Sequence, residues 1–307
     1  MTKHDLPFPA GPVFGVAVDQ GSGLEAAIRE ARGADARDDD LPTFKRIVVE
    51  TLSPEATTML VDATYGRDLL ESYAPSCTRM LAFEADVYRI SDEDRITALP
   101  EGLSVSDFPD LGAQVLKFFL YYGPNDPPGL NARKADLVED IGRRCRASGV
   151  TFLFEPIVYD RALPDGMSAD FALAKPELVR AVTATFADPK FGVDILKVEI
   201  PVNFDFVEGF GTGAMSRSEA QAAFAAAADA AGDIPLLYLS AGVTFERFRD
   251  ALAFSREAGV EPLGFMCGRA IWSDAIGIYG ADGPAAMTRW MRSTGRERLA
   301  RLKEAIA

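Results

Sequence analysis

The sequence predicts an α/β protein built as one (β/α)8 TIM barrel, and three observations carry that reading. Short apolar runs recur eight times along 307 residues, helical or polar stretches separate them, and no linker or shift in composition divides the chain. A chain of this length suits one barrel of about 250 residues with insertions. A single domain over 1–307 is therefore expected, with residues 1–12 as a flexible N-terminal tail.

The runs are "VFGVAVDQ" (13–20), "TMLVDAT" (58–64), "RMLAFEA" (79–85), "QVLKFFLYY" (114–122), "TFLFEPIVY" (151–159), "DILKVEIPV" (194–202), "PLLYLSAGV" (235–243) and "PLGFMCGRA" (262–270). Near-continuous Val/Ile/Leu/Phe stretches are what parallel strands buried on both faces require. Between them, residues 130–148 carry Leu137, Val138, Ile141 and Cys145 at one-face helical spacing. A helix from Ser216 opens with the capping-box pair Ser216 and Glu219 and stops near Gly232, and another runs from Thr244 to Gly259. An open doubly wound sheet is the alternative, but "DQGSGLE" after the first run lacks the GxGxxG spacing of a dinucleotide fold. The Gly-rich "NFDFVEGFGTGAMS" and the turn-rich "GPNDPPGLN" follow strands six and four, on the face where barrels build active sites.

The net charge of −14 argues against nucleic acid or an anionic membrane as a partner, so an anionic ligand must be held by a few local donors. Cys77, Cys145 and Cys267 are far apart, lack CxxC spacing and fit buried thiols in a reducing compartment. The N-terminus has no apolar signal core and no 18-residue apolar stretch exists, so no membrane span and a cytoplasmic location are expected. The only histidine is His4. That argues against a Ser-His-Asp triad and a multi-His zinc site, and leaves proton chemistry to carboxylates, lysines, tyrosines or water.

Six of the runs carry a polar residue. Lys117 lies in strand four, Glu155 in strand five, and Lys197 with Glu199 in strand six. Asp19 ends strand one, Ser240 strand seven and Arg269 strand eight. Side chains alternate along a strand, so Lys197 and Glu199 share a face. A buried ammonium must pair, deprotonate or be used. A lysine becomes a nucleophile beside a second cation or on desolvation, and Lys117 is a candidate for that cation. An amine that attacks a carbonyl forms a Schiff base, whose iminium permits cleavage of a neighbouring carbon–carbon bond. Glu155 would shuttle protons and Asp19 would accept one from a substrate hydroxyl. Ser240, Gly242, Gly268 and Arg269 have the make-up of a phosphate cradle.

Each residue alone has an ordinary structural reading. A strand lysine is commonly a snorkelling residue, Lys117 with Glu155 fits a buried ion pair, Glu199 fits a structural partner for a lysine, and Asp62 fits a cap. Tyr121, Tyr122 and Tyr159 fit rim packing. The conjunction across six strands favours a site.

"VVETLSPEATTMLVDATYG", "LKFFLYYGPND", "FLFEPIVYD", "FGVDILKVEIPVNFDFVEGF", "LLYLSAGVTFERF" and "FMCGRAIW" together resemble the tagatose-1,6-bisphosphate aldolase family of Schiff-base, class I aldolases on (β/α)8 barrels. The strand order also resembles the wider Schiff-base fructose-bisphosphate aldolases. The likeness runs from about Val13 to Thr294. It implies that Lys197 is the Schiff-base lysine, Glu155 the main proton carrier and Lys117 the second lysine. By the same resemblance Asp19 and Gln20 lie at the sugar, and Ser240, Gly268 and Arg269 at phosphate.

One position departs from the family, which usually has Arg after the Asp-Gln of strand one; here it is Gly21. Arg67 is a candidate substitute. The resemblance implies cleavage of tagatose 1,6-bisphosphate to dihydroxyacetone phosphate and glyceraldehyde 3-phosphate, without cofactor or metal. The alternatives are a 6-deoxy-6-sulfofructose-1-phosphate or other ketose-1-phosphate aldolase, a non-covalent Lys/Glu isomerase or decarboxylase, and a non-catalytic sugar-phosphate sensor. The phosphorylated sugar is the one expected partner besides further copies of the chain, since enzymes of this size commonly form symmetric oligomers.

Overall fold

The computed structural model describes residues 6–306; His4 lies outside them. Eight parallel strands close into a barrel in sequence order. They are β1 (Val13–Val18), β2 (Thr58–Val61), β3 (Thr78–Ala82), β4 (Val115–Tyr122), β5 (Thr151–Val158), β6 (Ile195–Glu199), β7 (Leu236–Leu239) and β8 (Gly264–Cys267). Seven fall inside an apolar run of the sequence, and β3 begins one residue ahead of its run, at Thr78.

The helices are α1 (Ser22–Arg32), α2 (Asp40–Leu52), α3 (Pro128–Ser148), α4 (Ala169–Phe186), α5 (Arg217–Ala231), α6 (Phe245–Glu257), α7 (Arg269–Trp272), α8 (Ala275–Trp290) and α9 (Arg296–Ile306). The capping box at α5 forms as its sequence predicts. Glu219 N–H donates to Ser216 Oγ (3.2 Å), and Ser216 N–H donates to Glu219 Oε2 (2.8 Å). Thr244 caps α6. The alternation is incomplete after β2 and β3. There the crossovers hold only short 3-10 turns at Arg67–Ser72, Val87–Arg89 and Val105–Asp107. Leu69, Leu70, Val105 and Phe108 fill the outer layer in place of helices.

Two apolar cores result from the two-residue period of the strands. Outward residues such as Val16, Phe118, Phe154 and Leu196 pack against the helices. Inward residues Val13, Ala17, Leu60, Met80, Ala82, Val115, Leu153, Ile195, Leu237 and Met266 fill the barrel, so its lower part is a packed core and not a pore. Leu6 and Phe8 pack against this inner core, and Thr78 Oγ1 donates to the Pro7 carbonyl (2.6 Å). Within the stretch 1–12 expected as a tail, Leu6 and Phe8 are therefore packed side chains.

The barrel closes where Val13 of β1 meets Gly264 of β8. Gly264 has φ +154°, and a Cβ there would lie 1.9 Å from the Val13 carbonyl oxygen. Only glycine permits that approach. Gly264→Ala should therefore lower the free energy of unfolding by about 3 kcal/mol or more in urea titration. A loss below about 0.5 kcal/mol would contradict this account of closure.

Candidate active site

Above the inner core the barrel opens into a cavity of about 420 Å³ at the C-terminal ends of the strands. Every strand supplies a polar residue to it. Asp19, Asp62, Glu84, Lys117, Glu155, Lys197, Ser240 and Arg269 come from or directly follow β1 to β8 in turn, and Gln20, Gly242 and Gly268 also line it. All nine residues expected at the site from the sequence face this one space.

The strand registers set the heights. Phe119 of β4 is level with Glu155 of β5, and Leu153 is level with Ile195 of β6, which puts Glu155 beside Lys197. Glu155 Oε1 is 3.0 Å from Lys197 Nζ, and Glu155 Oε2 is 2.8 Å from Lys117 Nζ. One carboxylate therefore bridges both amines. Lys117 also pairs with Asp19 (3.0 Å) and with Glu84. Lys117, Lys197 and Glu155 are each at most 7% exposed.

Burial opposes the charge on Lys117, but Glu155, Glu84 and Asp19 outweigh it and hold its pKa well above the usual lysine value. Lys117 is a permanent cation. Burial likewise pushes Asp19 up, yet the Lys117 and Lys197 charges bring it down to about 2. For Glu84 burial wins. With help from the Asp19 and Glu155 charges, and against Lys117, it pushes this carboxyl up to about 7.

Sequence reasoning had not singled out Glu84. It stands two residues beyond Ala82 on the inward series Met80–Ala82–Glu84, and that alternation would have found it. Lys45 was also missed. It lies on the apolar stripe of α2, fully buried, where it donates to the Val18 carbonyl (3.0 Å) and pairs with Asp62. Asp62 also accepts the N–H groups of Thr64 (3.0 Å) and Tyr65 (2.6 Å), so it pins the ends of β1 and β2. Glu199 pairs with Lys175 of α4 (3.1 Å) and accepts the Val158 N–H (2.9 Å), which is the structural role its position suggested. Tyr121 lines the cavity, while Tyr159 donates to Asp126 and accepts from Lys134 (2.9 Å) outside it.

Beyond β7, Ala241 and Gly242 both have positive φ, 48° and 80°, in a tight turn closed by Val243 N–H to the Ser240 carbonyl (3.0 Å). A Cβ on Gly242 would lie 2.7 Å from the Arg269 guanidinium, so the missing side chain makes room for that cation. Gly268 lies against the Ala17 carbonyl, where a Cβ would be 2.3 Å from the oxygen. Arg269 makes no salt bridge to a carboxylate among the described residues. The cradle is thus built from Ser240, two glycines and a guanidinium without a carboxylate partner. Among the described residues no group of three His, Cys, Asp or Glu is arranged to hold a metal ion.

Residues 14–274 match the model of the DeoC/LacD family aldolases. A relative from Listeria monocytogenes named tagatose 1,6-diphosphate aldolase is 35% identical over 298 residues, covering 96% of this chain and 88% of its own. The chain belongs to the DeoC/LacD aldolase family. It is accordingly an enzyme, a carbon–carbon lyase. Two solved structures share its fold at low identity. The fructose-bisphosphate aldolase from Plasmodium falciparum has a TM-score of 0.69 at 12% identity, covering 95% of this chain and 90% of that one. A Schiff base forming fructose-1,6-bisphosphate aldolase has a TM-score of 0.57 at 17% identity, covering 92% and 94%. No described helix is long and apolar enough to cross a membrane.

The Glu84 pKa has a consequence for stability. Between its ordinary value of 4.5 and about 7 the folded chain binds the proton more tightly than the unfolded chain. The stability of the wild type relative to Glu84→Gln should therefore fall by about 3 kcal/mol as pH rises from 4.5 to about 7, and then level off. Urea titrations across that range check it. A difference that stays flat or grows with pH would contradict the assignment.

Proposed function

We propose that this aldolase works through a Schiff base on Lys197 and cleaves a ketose 1-phosphate to dihydroxyacetone phosphate and an aldehyde. The observation that carries the reading is Glu155 held at 3.0 Å from the Lys197 amine inside a sheltered cavity. The name of the Listeria relative makes tagatose 1,6-bisphosphate, with glyceraldehyde 3-phosphate as the second product, the reference substrate. A 6-sulfonated ketose phosphate is the alternative carried over from the sequence.

The chemistry follows from the arrangement. Glu155 takes a proton from Lys197, whose amine adds to the C2 carbonyl, and then gives that proton to the carbinolamine oxygen so that it leaves as water. The iminium then withdraws electrons while a base takes the proton of the C4 hydroxyl. The C3–C4 bond breaks, its electron pair forms the enamine, and C4 departs as the aldehyde. Protonation at C3 and attack by water release dihydroxyacetone phosphate and restore the amine.

The sequence pointed to Asp19 as the base for the hydroxyl. A carboxylate held at about 2 has little proton affinity, whereas Glu84 at about 7 is matched to neutral pH. Both reach Lys117, so Asp19 is better suited to orienting the hydroxyl and Glu84 to taking its proton. Lys117 keeps both carboxylates in place. Ser240, Gly242, Gly268 and Arg269 would hold the C1 phosphate, with Gln20 beside the sugar chain.

The rival readings make no covalent bond. Reduction with borohydride in the presence of dihydroxyacetone phosphate should add the mass of the reduced adduct to the peptide containing Lys197. Full turnover with no adduct would refute the Schiff base. Lys197→Ala should abolish cleavage while inorganic phosphate still binds, and Glu155→Gln should lower kcat by about 10² to 10⁴. Normal turnover by either variant would remove that residue from the mechanism.

A further inference from the structure

The cavity distributes its charge unevenly. Among the described residues its only cationic lining side chains are Lys117, Lys197 and Arg269. Lys117 is shared among three carboxylates and Lys197 faces Glu155. That leaves Arg269 as the one cation for a substrate anion, on the β7–β8 side.

The rim at the ends of β1 to β4, which adjoins β8 through β1, is acidic and aromatic. Tyr65, Asp86, Tyr88 and Tyr121 line it. Asp86 Oδ2 accepts the Ser22 N–H at the start of α1 (2.9 Å), and Oδ1 accepts the Tyr88 N–H (3.1 Å). The N-terminus of a helix is where an anionic group would otherwise be held. Here the chain's own carboxylate occupies it. A Cβ on Gly21 would lie 3.1 Å from that carboxylate, and one on Gly23 would lie 2.3 Å from the Tyr88 ring. The two glycines are what let Asp86 and Tyr88 close over the helix end. Burial opposes the charge, but the bonds from Ser22 and Tyr88 hold the Asp86 carboxyl below its usual range.

Two nearby arginines do not reverse this. Arg89 Nε is 3.8 Å from Asp86 and its side chain is 76% exposed, so it leans outward. Arg67 lines an adjoining cleft and not the cavity itself. At the same rim Gln20 Oε1 is buried without a hydrogen-bond donor. An orphaned acceptor calls for an O–H, and a phosphate or sulfonate at neutral pH offers little or none. Phenol rings suit the C–H faces of a polyol.

We propose that Asp86 makes this enzyme selective for ketose 1-phosphates whose far end is a neutral hydroxyl, disfavouring a second anion there. The inference rests on the Schiff-base reading above and narrows its substrate. Like charges in such a site cost several kcal/mol when unscreened, and less at an open rim.

The test is kcat/KM for matched pairs at neutral pH and fixed ionic strength, tagatose 1-phosphate against tagatose 1,6-bisphosphate and the two fructose counterparts. The monophosphates should be preferred by about tenfold or more. A 6-sulfonated ketose 1-phosphate should rank with the bisphosphates. Asp86→Asn keeps the shape and removes the charge, and should shrink the preference by about tenfold. A merely structural role for Asp86 would lower both substrates together and leave the ratio unchanged, which overturns the proposal. Wild-type preference for the bisphosphates also overturns it. Borohydride trapping with dihydroxyacetone phosphate, run in parallel, separates the two levels. An adduct on Lys197 with bisphosphate preference sinks only this inference; no adduct sinks the Schiff base and this inference with it.

Discussion

A single carboxylate, Glu155, lies between two buried amines, and much of the site follows from that sharing. Its two oxygens sit at 3.0 Å from Lys197 and 2.8 Å from Lys117. An ammonium taken from water without partners costs several kcal/mol. Lys117 meets this with three carboxylates; burial, helped by the Asp19 and Glu155 charges, raises Glu84, while the Lys117 and Lys197 charges keep Asp19 low. Two carboxyl groups on one ammonium are thus driven toward opposite proton affinities, one suited to orientation and one to transfer. The barrel makes this possible because parallel registers hold adjacent strands at fixed heights. A one-residue slip in β5 would turn Glu155 outward into the helical layer.

The anion cradle has a different origin. It uses backbone geometry, two residues of positive φ after β7 and glycines against Arg269 and Ala17, more than net charge. That suits a protein of net charge −14, whose general field repels phosphates, so that any it bound would have to be held by a few fixed donors. On the proposed reading, reactive amine and anion cradle stand on neighbouring staves, β6 and β7–β8, so a short substrate would span both with its remaining carbons toward the rim after β1–β3.

Much of this was legible in the sequence because it rests on alternation. Eight apolar runs became eight strands, and the shared face of Lys197 and Glu199 followed from a period of two. The capping residues of α5 and α6 were equally plain. What escaped reading depended on contacts between distant segments. Glu84 looked like the end of an apolar run, and its meaning came only from Lys117 on the next strand. Lys45 sat on a helical stripe that one would fill with leucine, and only Asp62 explains it. Asp86 and Tyr88 lie in a loop without period, and their hold on the α1 terminus joins positions 64 residues apart in the case of Ser22 and Asp86. The crossovers after β2 and β3 hold 3-10 turns where a regular barrel has helices, because a few bulky side chains already cover the sheet. Leu6 and Phe8 read as a tail because nothing local shows that the barrel floor needs a cover.

In the proposed reaction the Lys197 amine forms a covalent bond with the ketone carbon while the phosphate rests on the Arg269 side. A crystal structure of the enzyme soaked with dihydroxyacetone phosphate tests it most directly. Continuous density is expected from Lys197 Nζ to the ligand's C2, with the phosphate among Ser240, Gly242, Gly268 and Arg269 and Glu155 still beside the nitrogen. A ligand bound without that bond, or with its phosphate at the Asp86 rim, would contradict it.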